Sequence, residues 1–196
     1  MGQEEQAGHA ESDTKLGAAV AQAQDGDETA FMVVYRIVQP GLLGYLHGLV
    51  GQGAEEVASE AWHEIVRDLD QFQGNGAGFR GWSAAIARRR ALDHLRRSRR
   101  RSSATATATA LEPEMAEIPS SHSTCDQVLT SLSTDHVLTL IRGLPRDQAD
   151  AVLLRVVVGL DGPAAARVLG KRPRAVRATA YQGLRRLARQ LAVRQV

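Results

Sequence analysis

Residues 160–177 read LDGPAAARVLGKRPRAVR, and the punctuation within this stretch decides the fold. Pro163 suits the first turn of a short helix, where its missing N–H would have no partner anyway, with Asp161 or Gly162 as the cap. Ala166 is small where two helices must approach closely. Gly170, four residues on, supplies a left-handed turn at no steric cost. Pro173 opens a second helix and Val176 returns to the core. This spacing suits two helices crossing steeply, the second free to enter a major groove: a helix-turn-helix.

On a wheel of about 100° per residue, Val176, Ala180, Leu184, Leu187 and Leu191 share one arc of the second helix. Arg174, Arg177, Tyr181 and Arg185 share the adjacent one. Arg174 and Arg177, near the helix start, are placed to reach base edges, where arginine reads guanine bidentately. Lys171, Arg172 and Arg185 are placed to hold phosphates. The plainer alternative is an amphipathic helix with a solvated basic face, which would not require the turn spacing.

Outward from the motif, the net charge of +2 hides a strong segregation. Residues 1–70 carry −10, residues 71–101 carry +8, residues 102–141 carry −5 and residues 142–196 carry +9. Two basic blocks separated by an acidic spacer suggest two contacts with a polyanion; solvated faces usually interleave both signs. Aromatic residues make up only 4%, so small Ala- and Leu-rich helical cores are expected. Cys125 has no partner for an internal disulfide. No run of about 18 apolar residues offers a membrane span, and the acidic start MGQEEQAGHAESD is not a signal peptide. A cytoplasmic protein is expected.

Residues 1–24 carry few large apolar groups and read as a disordered tail. Helical spacing starts after Asp27 with Phe31, Val34, Tyr35 and Val38, breaks at Pro40-Gly41, resumes with Leu42, Leu43, Leu46 and Leu49, and ends at Gly51-Gln52-Gly53. A helix follows over 54–69, then a glycine-rich loop over 70–78, then a helix from Phe79 into the arginine block ending at Arg101. Residues 102–126 have linker composition, with two prolines and alternating Ala and Thr. The reading is all-α: two small helical bundles, 25–101 and 127–196, joined by a flexible linker, the second containing the helix-turn-helix.

Glu56, Glu60, Glu64 and Asp68 recur every four residues on the 54–69 helix. Like charges at that spacing cost about 0.2–0.5 kcal/mol per pair, which a basic partner surface would offset. The next helix opens with Phe79, Arg80 and Trp82 and continues as IARRRALDHLRRSRRR. An aromatic-bearing loop leading into a basic helix is what single-stranded DNA requires, with bases stacking while arginines track the backbone. Phe72, Asn75 and Trp82 are the candidate base contacts, although Phe79 and Trp82 suit ordinary core packing equally well. Gly74–Gly78 lacks the Gly-Lys-Ser/Thr and preceding strand of a phosphate loop. The histidines (9, 47, 63, 94, 122 and 136) have no metal-ligand spacing, and no catalytic grouping stands out, so neither metal, cofactor nor enzymatic activity is expected.

GDETAFMVVYRIVQPGLLGYL, AEEVASEAWHEIVRDLDQFQG and GFRGWSAAIARRRALDHLRRSRRR resemble region 2 of extracytoplasmic-function (group 4) sigma factors, and residues 144–191 resemble their region 4. The resemblance implies that the helix matching 55–69 docks on the β′ clamp helices of bacterial core RNA polymerase, with Glu56, Glu60, Trp62, Glu64 and Asp68 as its contacts. It implies that the segment matching 70–97 melts the −10 element and captures a flipped base, through Phe72, Asn75, Arg80, Trp82, Arg88, Arg89, His94, Arg96 and Arg97. It implies that the helix matching 173–191 reads the −35 element through Lys171, Arg172, Arg174, Arg177, Tyr181 and Arg185, while region 4 also sits on the β flap. Ser59 and Ala61 depart from the Gln and Thr frequent in the family, and Arg172-Pro173 replace a commoner small polar cap and acid. No anti-sigma domain is fused, so such control would come from a separate protein or from expression level. A stand-alone helix-turn-helix regulator would explain 142–196 but leave the 55–97 constellation idle.

Overall fold

The computed structural model describes residues 2–106 and 136–194. Its elements are α1 (Gly2–Gln24), α2 (Glu28–Val50), α3 (Ala54–Arg67), a 3-10 turn (Leu69–Gln71), α4 (Gly76–Ala106), α5 (136–142), α6 (Arg146–Val152), a π-turn (Leu153–Val157), α7 (Gly162–Leu169) and α8 (Pro173–Arg194). The described residues are all-α, as the periodicity implies. The fourth helix runs past Arg101 to Ala106; the remainder of the expected linker, with Cys125, lies outside the described residues.

Residues 1–24 are not the expected disordered tail, since Gly2–Gln24 form one helix. Leu16, Ala19 and Val20 are buried on it. With half-buried Ala23 they repeat at i, i+3, i+4 and i+7, an apolar stripe half of which is alanine, too faint to stand out by hydropathy. α1 packs along α2 and α4, and each nearly fully buried aliphatic side chain contributes about 1.5–3 kcal/mol.

α2 starts where expected: Asp27 Oδ1 accepts from Thr29 N (2.8 Å) and Ala30 N (3.1 Å). It does not break at Pro40-Gly41 and continues to Val50. Pro40 is exposed, so the carbonyl it leaves unbonded faces water, while Val34, Val38, Leu42, Tyr45 and Leu46 hold both halves of the helix on one core. Gly41, Gly44 and Gly48 receive the π-turn of the C-terminal half. A Cβ at Gly44 would stand 2.8 Å from Val157 Cγ1, and one at Gly48 would stand 2.5 Å from Leu153 Cδ2.

The expected loop over 70–78 is shorter than its glycines suggest. The 3-10 turn takes its start, and α4 begins at Gly76 with Asn75 Oδ1 accepting from Gly78 N at 2.9 Å. In the C-terminal half Asp161 caps α7, its Oδ1 2.6 Å from Ala164 N. Gly170 adopts φ 64°, and Lys171 N reaches back to Ala166 O at 3.0 Å. Val176, Ala180 and Leu187 are buried on α8, whereas Leu184 and Leu191 of the expected packing arc are exposed. Gly183 takes the inner position instead, because α6 passes so close that a Cβ there would stand 2.8 Å from Val152 Cγ2.

Candidate nucleic-acid interface

The two halves pack on each other. α7 lies against α4, and the π-turn lies against α2. At the centre Asp150, buried on α6, accepts from Tyr45 Oη at 2.6 Å and Arg88 Nε at 2.9 Å. Burial, and after it the adjacent Asp150 carboxylate, hold the Tyr45 pKa well above its usual value, so the hydroxyl remains the donor. Neither Tyr45 nor Asp150 stands out by periodicity, although an acid within the apolar run QADAVLL signals a fixed partner.

On α8, Arg174, Arg177, Tyr181 and Arg185 are exposed together along one face, with Arg172 just before the helix, as the wheel requires. The Arg185 guanidinium lies 5.9 Å from the Tyr181 ring centre. Lys171 is 2.6 Å from Asp147, whose pKa this hydrogen bond lowers. That exposed pair is of the kind worth about 0–1 kcal/mol, weak enough for a phosphate to displace.

At the 3-10 turn, Phe72 meets Phe79 edge-on at 5.2 Å and Trp82 at 5.3 Å. Phe79 is wholly buried, while Phe72 and Trp82 are half-buried, so the cluster serves as core and as rim. A cleft of about 530 Å³ opens beside it, lined by Phe72, Gln73 and Trp82 from one half and by Arg167 and Val168 from the other. Asn75 is exposed, with its carbonyl oxygen committed to capping α4. Arg80 is held by Asp13 (2.6 Å) and Ser12 (2.7 Å) of α1. His94 lies against Gly53 at the start of α3, away from the aromatic cluster.

The middle of the acidic stripe of α3, Glu60 and Glu64, has a basic partner in α4 of the same chain. Glu64 is only 4% exposed and binds Arg90 at 2.6 Å and also Arg89. Glu60 meets Arg97 at 3.3 Å, and Arg96 meets Asp93 at 3.1 Å. Asp68 pairs with Arg67, a hydrogen bond that lowers the Asp68 pKa. Trp62 is buried too, its Nε1 donating to Gln39 at 2.5 Å. Glu64 and Trp62 therefore do not project from α3 as the resemblance implies; Glu56 does. The outward side of α3 carries Glu55, Ser59, His63 and Val66 beside α2, bordering a groove of about 540 Å³ with Tyr35 and Leu43. No described helix is long and apolar enough to cross a membrane.

Residues 34–101 match the family model for sigma-70 region 2, and residues 135–187 match that for sigma-70, region 4. The ECF RNA polymerase sigma factor BldN of Streptomyces coelicolor is 34% identical over 93% of this chain and 68% of its own length. ShbA, an ECF RNA polymerase sigma factor of Streptomyces griseus, is 30% identical over 89% and 94%. Among solved structures, CnrH in complex with the cytosolic domain of CnrY aligns with TM-score 0.63 over 93% of this chain and 98% of that one, at 18% identity. The sigma factor RpoE of Bartonella quintana, in complex with the anti-sigma factor NepR, aligns at 0.64 over 83% and 97%, at 19% identity. At those identities the structural likeness bears on fold alone.

Proposed function

The chain belongs to the extracytoplasmic-function sigma factors of the sigma-70 family and is an alternative sigma factor for transcription initiation; from that premise we propose how its surfaces divide the work. It binds bacterial core RNA polymerase in the cytoplasm, brings it to promoters and opens the DNA, supplying binding energy rather than catalysis. Arg174 and Arg177 read −35 base edges, with Lys171, Arg172, Tyr181 and Arg185 on the backbone around them. Phe72, Asn75 and Trp82 engage the −10 element, and the α4 arginines follow its phosphates. The outward side of α3 around Glu56, with the groove beside it, faces the β′ clamp helices, and the C-terminal half takes the β flap.

The observation carrying this reading is the exposed row Arg174, Arg177, Tyr181 and Arg185 on the second helix of a properly capped helix-turn-helix. It lies in the same chain as a region 2 half that a stand-alone regulator would not need. A separate anti-sigma protein is a further expected partner, since RpoE of Bartonella quintana, which has the same fold, is complexed with one.

The test is in vitro transcription with purified chain and core polymerase on fragmented genomic DNA, sequencing the 5′ ends. Discrete starts sharing −10 and −35 motifs, absent without the chain, are expected. Failure to bind core would leave only a stand-alone DNA-binding regulator.

A further inference from the structure

We propose that Gln24, the last residue of α1, is a positioning residue for −10 capture, holding the turn that carries Phe72 and Asn75 in the shape a base must enter. The inference rests on reading that turn as the −10 contact. The Gln24 side-chain amide donates to Leu69 O at 2.9 Å and to Phe72 O at 2.8 Å. These carbonyls stand at the two ends of the 3-10 turn, so one side chain spans it. Leu69 O also accepts from Phe72 N at 3.0 Å, which closes the turn into a small hydrogen-bonded unit anchored on α1.

Downstream, the peptide must cross Gln73 and Gly74 to reach Asn75, and all three are exposed. The Phe72 ring folds over this crossing, so that a Cβ at Gly74 would stand 2.9 Å from its Cζ. The path of 72–75 is therefore set between two anchors: the Gln24 amide before it and the Asn75 cap of α4 after it. α1 supports the second anchor as well. A Cβ at Gly76 would collide with Asp13 O and stand 2.8 Å from Gly17 N, so the start of α4 lies backbone-to-backbone on α1. Arg80, one turn further, is held by Asp13 and Ser12. A site that captures an extruded base must be shaped beforehand, because ordering a loose turn at the moment of capture subtracts from the binding that offsets unstacking.

Gln24 touches no base in this scheme; it acts through Leu69 O and Phe72 O. A donor is what matters at this position. Gln24→Leu keeps size without a donor, whereas Gln24→Lys keeps donors on a longer arm and suits a helix C-terminus.

The experiment uses holoenzyme assembled from core polymerase and the full chain. Its affinity for a labelled single-stranded oligonucleotide carrying the non-template −10 sequence is measured alongside core affinity and the melting temperature of the free chain. Gln24→Leu is expected to weaken oligonucleotide binding about tenfold, the scale of one to two lost hydrogen bonds, with core affinity unchanged and most of the loss recovered by Gln24→Lys. Asn75→Ala serves as the control on the underlying reading. If Asn75→Ala weakens oligonucleotide binding and Gln24→Leu does not, Gln24 positions nothing. If Asn75→Ala has no effect either, the turn is not the −10 contact and the proposal falls with that reading. If both Gln24 variants lose core affinity and melting temperature equally, Gln24 serves only the general packing of α1, which also overturns the proposal.

Discussion

At the scale of single residues, Glu64 shows what charge can do inside a fold. A carboxylate so deeply buried persists because Arg89 and Arg90 reach it from α4 and Arg67 stands 3.9 Å away. Those arginines are partly exposed and can rehydrate, so removing the carboxylate costs less than breaking a fully buried pair. Glu64→Gln is expected to destabilise the N-terminal half by about 1–2 kcal/mol in denaturant titrations. Core affinity, measured where the variant is folded, is expected to stay near the parent value; a large specific loss would return Glu64 to the polymerase contact. Arg174 and Arg177 are the opposite case, exposed along the outer face of α8 with the partner still to come. Arg174→Ala and Arg177→Ala are each expected to reduce discrimination of the −35 sequence by about 1–3 kcal/mol. Competition binding against a scrambled −35 sequence measures it, and unchanged preference in both variants removes them from base reading. Position on a wheel reveals such residues well. It revealed the α3 stripe too, but a wheel gives the sign of a face and not the element that will cover it.

At the scale of elements, the helix-turn-helix was legible because its punctuation is local: Asp161, Pro163 and Gly170 each act within a few residues of themselves. α1 and the continuity of α2 were not legible, because both depend on packing between segments distant in sequence. In α1 one leucine, one valine and two alanines suffice since α2 and α4 flank it closely, and in α2 the packed face overrides Pro40. Leu184 misled for the same reason: Gly183 takes the inner position only because α6 passes there. Leu16 therefore belongs to the core, and Leu16→Ala is expected to lower stability by about 2–5 kcal/mol, seen as a falling thermal midpoint. A change below about 0.5 kcal/mol, the range of surface substitutions, would mean that α1 is dispensable to the fold.

At the scale of the whole molecule, the Asp150 contact holds together the two halves to which the proposal assigns the −10 and −35 elements. On the proposed division of work, one half takes the −35 element and the other the −10 element, two separate stretches of duplex. α7 lies directly against α4, and on that proposal engaging both elements calls for the halves to part. Asp150→Ala leaves Tyr45 and Arg88 without their shared acceptor at the centre of the contact. Small-angle X-ray scattering is expected to show a larger radius of gyration for this variant than for the parent. An unchanged radius would mean that the glycine-lined packing of α2 suffices without the acid.

The same internal pairing governs how the chain meets a polyanion in salt solution. Arg80, Arg88, Arg89, Arg90, Arg96 and Arg97 each face a carboxylate of their own chain. A phosphate approaching these α4 arginines must displace a tethered acid rather than release a condensed counterion into bulk, so α4 should hold random DNA less tightly than the exposed arginines of α8 do. Of these pairs only Arg88–Asp150 joins the two halves, so parting them frees Arg88 alone, which adds about 0.9 to the steepness with which affinity falls as salt rises. The salt slope of the assembled complex, set against that of the chain alone, thus counts the arginines that assembly sets free.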